Sequence, residues 1–187
     1  IFGEHTEALH EESLARPESL YGASKLSAEA FIIAFSSLYG IQSWICRLSN
    51  IVGERSTHGI ILDLLNKLDS NKKELEVLGD GTQTKPYMYV AEIVEALMFI
   101  FENSDERTNI FNIGPRDATT VAEIAEALLA AAGDGQEIVY SGGDRGWKGD
   151  VPLYRYRPSK LEALGWPKPM SSTEAVRVAI AKILESR

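Results

Sequence analysis

The stretch Tyr21-Gly22-Ala23-Ser24-Lys25 places a tyrosine and a lysine four residues apart at the start of a long helical pattern. That spacing sets both side chains on one helix face. A phenol ionises near pH 10 in isolation, and a neighbouring ammonium favours its charged form. Such a pair can take a proton from an alcohol while the same carbon loses a hydride. The spacing alone marks a solvated helix face far more often than a catalytic pair, so the meaning of the pair depends on the rest of the chain.

Working outward, Pro17 stops any preceding helix and Ser19 is placed to cap the next one. Leu26, Ala30, Ile33 and Ser37 continue a helical stripe to Tyr39, where Gly40 ends it. Residues 42–48 read as a short buried strand and 60–70 as an amphipathic helix. A strand at 76–78 leads into a Gly79-Asp80-Gly81 turn. Helix at 91–102, strand at 109–113, a helix to about Ala132 capped by Thr120 with Glu123 as capping box, and strand at 136–140 follow. Two further helices are predicted near 158–164 and 172–185. Alternation of strands and helices makes the fold class α/β.

The composition bounds the partners. With 187 residues, 44% hydrophobic and 25% charged, the chain has the balance of a globular protein of one domain or slightly more. A net charge of -8 argues against a nucleic-acid backbone as main partner. It leaves room for a small anion held by a few local cations. The single cysteine, Cys46, sits in the apolar run Trp44-Ile45-Cys46 and reads as an inert buried thiol, compatible with a reducing, cytoplasmic setting. The apolar run Ala96–Phe101 is too short to span a membrane. His5, His10 and His58 have no metal-ligand spacing, so no metal is expected.

Further motifs stand in register with the first. Ile1-Phe2-Gly3-Glu4 precedes it; Pro17-Glu18-Ser19-Leu20 leads into it. Arg47-Leu48-Ser49-Asn50-Ile51-Val52-Gly53, Gly79-Asp80-Gly81-Thr82-Gln83, Phe111-Asn112-Ile113-Gly114 and Gly149-Asp150-Val151-Pro152 follow, with Leu164-Gly165-Trp166 near the end. Together they resemble the extended short-chain dehydrogenase/reductase family, the NAD-dependent nucleotide-sugar epimerases and dehydratases. Arg55-Ser56-Thr57-His58-Gly59 and Gly142-Gly143-Asp144-Arg145-Gly146-Trp147 are most similar to its archaeal-type UDP-glucose 4-epimerases.

The resemblance implies the carboxyl-terminal part of a Rossmann-like enzyme with its small substrate-binding lobe. Residues 1–58 would close the NAD-binding domain. Residues 59–187 would form mainly the substrate lobe, with some segments returning to the sheet. It implies NAD as cofactor, a nucleotide sugar as substrate, a homodimer, and epimerisation by transient oxidation at sugar C4. A 4,6-dehydratase, a uronate decarboxylase or a non-catalytic nucleotide-binding relative are the alternatives. The Gly-rich dinucleotide turn of such enzymes has no counterpart near the start, and the family's catalytic Ser or Thr would fall before Ile1. The expectation is therefore a chain lacking about a hundred residues of cofactor-binding half and inactive by itself.

Residue by residue, the resemblance makes Tyr21 the base and Lys25 its activator and a cofactor-ribose ligand, with Leu48 beside the nicotinamide. Asn50, His58, Gly59, Lys85, Arg145 and Asp150 would hold the substrate. Lys85 is a departure: relatives carry Arg-Asp where this chain has Lys85-Pro86, and a lysine meets phosphate as a point charge without the guanidinium fork. Glu92 replaces a usual Asp. Asn50 also suits a turn, and the loop of Arg145 also suits a plain surface turn. Trp147 reads as packing over that loop.

Overall fold

The computed structural model describes residues 1–146 and 150–187. In chain order its elements are α1 (Leu20–Tyr39), β1 (Ser43–Leu48), β2 (Asn50–Val52), α2 (Ile60–Ser70), β3 (Glu74–Val77), β4 (Thr84–Lys85), β5 (Tyr87–Tyr89) and α3 (Val90–Asn103). Then come β6 (Thr108–Ile113), β7 (Thr119–Thr120), α4 (Val121–Ala132), β8 (Glu137–Tyr140), α5 (Ser159–Ala163) and α6 (Ser172–Glu185). The Trp147 packing expectation lies outside the described residues.

Helix α1 begins and ends on its own chemistry. The Ser19 side chain accepts from the Gly22 N–H, and Gly40 turns to φ 68° with its N–H on the Ser36 carbonyl. Its packed face is not the Leu26–Ala30–Ile33–Ser37 stripe. Gly22, Glu29 and Ser36 are the buried positions, one every seven residues. Polar partners decide this. Arg47 of β1 donates from Nε and Nη2 to the Glu29 carboxylate at 3.0 and 2.8 Å. The Ser36 hydroxyl donates to the Ile41 and Arg107 carbonyls and meets Thr108 Oγ1 at 2.9 Å. Phe31, Phe35 and Leu38 consequently point outward.

The strands form pairs. β1 runs parallel to β6, β2 parallel to β5, and β3 parallel to β8, while β4 is antiparallel to β7. The extended chain from Ser43 to Val52 thus changes partner at Ser49, whose N–H still bonds the Ile113 carbonyl while Asn50 bonds Pro86. A strand changing partners opens a crevice at its carboxyl end, the usual ligand position in α/β sheets. Residues 1–4 form no strand. From His5 onward the backbone bonds instead to residues 153–157, through His5 N–H to Leu153 and Leu9 N–H to Arg155.

Two main cores result. One gathers α2, β3, α4 and α6 around Leu64, Leu65, Leu75, Ile124, Leu128 and Ile180. The other packs α3, β6 and α5 against the opposite face of β1 through Met88, Ile93, Ile100, Phe111, Ile113 and Leu161. Cys46 and Trp44 rest on this second core, and burial pushes the Cys46 thiol up to about 11, keeping it protonated. No helix among the described residues is long and apolar enough to cross a membrane.

The Glu29–Arg47 pair, each side chain about a tenth exposed, is what docks α1 on β1. Glu29→Ala leaves the guanidinium buried and unpaired, and should cost about 3–5 kcal/mol in urea unfolding. The double variant Glu29→Met/Arg47→Leu should recover most of that loss.

Candidate active site

Tyr21 and Lys25 stand one turn apart on the first turns of α1, and the Lys25 Nζ lies 5.3 Å from the Tyr21 ring centroid. Tyr21 is 72% exposed, so its hydroxyl is open to a ligand.

The other candidate residues arrive through two glycine turns. Gly79 and Gly81 adopt φ of 81° and 83°, and Gly142 and Gly143 φ of 84° and 87°. The turns are bridged: the Gly142 N–H donates to the Gly79 carbonyl and the Gly79 N–H to Ser141 Oγ. A Cβ on Gly79 would collide with the Gln83 amide nitrogen, whose side chain is buried and has no hydrogen-bond partner among the described residues. Beyond the first turn, the Thr84 N–H bonds the Pro152 carbonyl, which runs β4 alongside residues 152–154. Lys85 therefore meets Asp150 as an ion pair. Asp150 is 4% exposed and also accepts from the Gly146 N–H at 3.2 Å.

Arg145 extends this cluster toward α1. Its Nη1 donates to the Asp150 carbonyl at 2.7 Å and lies 3.5 Å from Glu18 Oε2; its Nη2 reaches Glu4 Oε2 at 3.2 Å. A continuous chain of contacts runs Lys85–Asp150–Arg145–Glu18, and Glu18 stands three residues before Tyr21. Tyr87 and Tyr154 flank the cluster as neutral phenols. Burial pushes both above the usual range, and the Asp150 carboxylate adds to the effect.

The remaining candidates stand apart. Leu48 ends β1 and packs partly into the second core, with its carbonyl 3.4 Å from the Tyr156 hydroxyl. Ser49 beside it is buried, and its hydroxyl has no hydrogen-bond partner among the described residues. Asn50 pairs with Tyr87 across β2 and β5, next to Pro86 and Lys85. His58 is exposed with Nδ1 3.2 Å from Thr57 Oγ1, and Gly59 (φ 114°) caps α2. Neither His58 nor Gly59 touches the Lys85–Arg145 cluster through a hydrogen bond or ion pair found among the described residues. Glu92 serves structure: its Oε1 accepts the Met170 N–H. A cavity of about 340 Å³ between Met88, Arg116, Leu161 and Trp166 includes none of the candidate residues. Among the described residues no group of three or more His, Cys, Asp or Glu side chains could hold a metal ion. Glu4 and Glu18 were not singled out as site residues by sequence reasoning. Both lie in motifs already noticed, but nothing in their spacing marks them as partners of Arg145.

The comparisons with known proteins agree in kind. The profile of the NAD dependent epimerase/dehydratase family matches residues 1–114. A provisionally assigned UDP-glucose 4-epimerase of Methanocaldococcus jannaschii is 31% identical over 165 residues, covering 86% of this chain and 52% of that protein. The dTDP-L-rhamnose 4-epimerase of Burkholderia thailandensis is 30% identical, with 85% of this chain and 44% of that protein covered. The Thermus thermophilus UDP-glucose 4-epimerase, solved in complex with NAD, superposes with a TM-score of 0.83 at 26% identity, covering 100% of this chain and 61% of that one. The chain spans about half the length of the curated relatives it matches.

Gly79→Ala and Gly142→Ala separate the two demands on these turns. Both impose an unfavourable left-handed backbone of about 1–2 kcal/mol. Only Gly79→Ala also collides with the buried Gln83 amide, so it should cost about 1–3 kcal/mol more in urea unfolding than Gly142→Ala, whose Cβ meets open space.

Proposed function

The chain belongs to the NAD dependent epimerase/dehydratase family, and from that premise we propose that it is the substrate-side portion of a nucleotide-sugar 4-epimerase acting on a UDP-hexose. The observation that supports the reading best is the unbroken line of contacts from the helix of Tyr21 to the paired cations Lys85 and Arg145. It gives one ligand a diphosphate grip at one end and a proton acceptor at the other.

In this reading Tyr21 takes the proton from the C4 hydroxyl, and the Lys25 ammonium beside its ring stabilises the phenolate. Arg145 offers a guanidinium fork to the diphosphate, and Lys85 adds a point charge once it leaves Asp150. Asp150 is then free to accept from a ribose hydroxyl. Asn50, beside the Lys85–Pro86 step, faces the sugar, and the exposed His58–Gly59 loop lies over the diphosphate. The residues fit the nicotinamide end of NAD: Leu48 and the Ser49 hydroxyl, unpaired among the described residues, lie where the strand changes partners, and Lys25 is placed for its ribose. NAD, when bound, supplies the hydride acceptor for C4. The outward Phe31, Phe35 and Leu38 of α1 are the surface we assign to a homodimer contact. We assign residues 1–58 to the closing part of a Rossmann-like NAD-binding domain and residues 59–187 mainly to the substrate lobe, with segments such as β6, parallel to β1, returning to the sheet.

Tyr21→Phe in the full-length protein should lower epimerase turnover by about 10² to 10⁴ while UDP affinity by calorimetry stays unchanged. Turnover within a few-fold of wild type removes Tyr21 from the chemistry. Lys85→Ala and Arg145→Ala should each weaken UDP binding by about 1.5–3 kcal/mol. Unchanged affinity in both removes the diphosphate assignment.

A further inference from the structure

Arg145 is already occupied by acidic side chains. Glu4 takes Nη2 at 3.2 Å, and Nη1, which donates to the Asp150 carbonyl, also has the Glu18 carboxylate at 3.5 Å, so each terminal nitrogen has a carboxylate within ion-pair reach. Glu18 is held from a second side, because its Oε1 accepts the Glu4 N–H at 3.0 Å. The carboxyl lies across Gly3, where any Cβ would collide with it. Glu18 is also the residue before Ser19, the cap of α1. One carboxylate thus joins three segments: the chain at Gly3–Glu4, the start of the Tyr21 helix, and the Arg145 loop.

The exposure of these groups sets them apart from the structural ion pair of α1. The Glu29 and Arg47 side chains are about a tenth exposed, whereas Arg145, Glu4 and Glu18 are 37, 43 and 40% exposed. An ion pair this open to water contributes little to stability. It is suited to exchange rather than to holding the fold. A diphosphate needs the same guanidinium edge, and two carboxylates within reach of that edge repel it.

We propose that Glu18 is an affinity-setting positioning residue: an internal counter-ion that keeps Arg145 beside the Tyr21 helix and competes with the diphosphate for it. The inference rests on the reading of Arg145 as a diphosphate ligand. Binding replaces the Glu18–Arg145 contact by an Arg145–phosphate contact. The affinity for substrate is therefore set below what Lys85 and Arg145 alone would give, and Glu18 is released at the start of the helix that carries the base. Glu4 acts on the other terminal nitrogen in the same sense.

The test is calorimetric titration of the full-length protein with two probes, UDP and inorganic pyrophosphate, on wild type, Glu18→Gln, Arg145→Ala and the double variant. Glu18→Gln should bind both probes about two- to fivefold more tightly, and the gain should vanish in the Arg145→Ala background. A purely structural Glu18 would give a loss or no change, and a general charge effect would persist without Arg145; either result overturns the inference. Equal pyrophosphate affinity in wild type and Glu18→Gln overturns it while leaving the nucleotide-sugar reading intact, provided Arg145→Ala still weakens UDP binding. A pyrophosphate gain with UDP bound no better than pyrophosphate supports the role of Glu18 and removes the nucleotide from the proposed function. Failure of both variants to bind either probe overturns both.

Discussion

The contact on which the arrangement turns is the forked hydrogen bonding of Arg47 to Glu29. Arg47 also donates from Nη1 to the Glu11 carbonyl and lies 5.3 Å from the Phe2 ring centroid. Glu11 in turn accepts the Asn112 N–H of β6. One guanidinium therefore fixes the rotation of α1, the course of the leading loop and, through Glu11, the neighbouring strand. Removing two ions from water is costly, and only a geometry that satisfies the guanidinium on several edges repays it. The orientation of Tyr21 follows from that satisfaction, since a helix pinned at Glu29 cannot rotate its first turn independently.

The site is assembled differently. Backbone brings its parts together, and the largely buried Lys85–Asp150 pair forms where that backbone carries it. The bridge between the Gly79 and Gly142 turns, and the run of β4 beside residues 152–154, carry Lys85 and Asp150 to each other across 65 residues of sequence. Flexible side chains then complete the arrangement around Arg145. A rigid backbone frame with exchangeable side-chain pairs is what a ligand-binding crevice requires, because the frame pre-positions the cations and the pairs can be given up. Open α/β sheets hold ligands outside the carboxyl ends of their strands, and the partner change at Ser49 marks such a place in this sheet.

Local chemistry was readable from sequence and distant pairing was not. The Ser19 cap, the Gly40 stop and the Thr120–Glu123 capping box each depend on residues within four positions of one another, and all three are present as read. The α/β class followed from the alternation of such elements. β2, β4, β5 and β7 were unread because two or three residues carry no periodicity. The packed face of α1 was misread for another reason: Glu29 and Ser36 are buried for partners supplied by Arg47, Arg107 and Thr108, and an apolar count cannot see that. Tyr21, Lys25, Lys85 and Arg145 were visible as residue types within motifs. The Lys85–Asp150 pair and the place of Glu18 were not, since both depend on where loops far apart in sequence come to rest.

The parallel pairing has a temporal consequence. Ser43 pairs with Thr108 and Glu74 with Glu137, partners more than sixty residues apart. Closing loops of that size costs entropy before any ladder bond returns it, so neither pair can nucleate early. The capped helices have local contacts and can form first, and the sheet pairs must wait for them. Lys85 and Asp150, which meet only after β4 lies beside residues 152–154, belong to the last contacts made. A ribosome releasing this chain in order would therefore expose the apolar residues of α1 long before Lys85 and Asp150 could meet, and the interval between the two is when the chain is most open to misassembly.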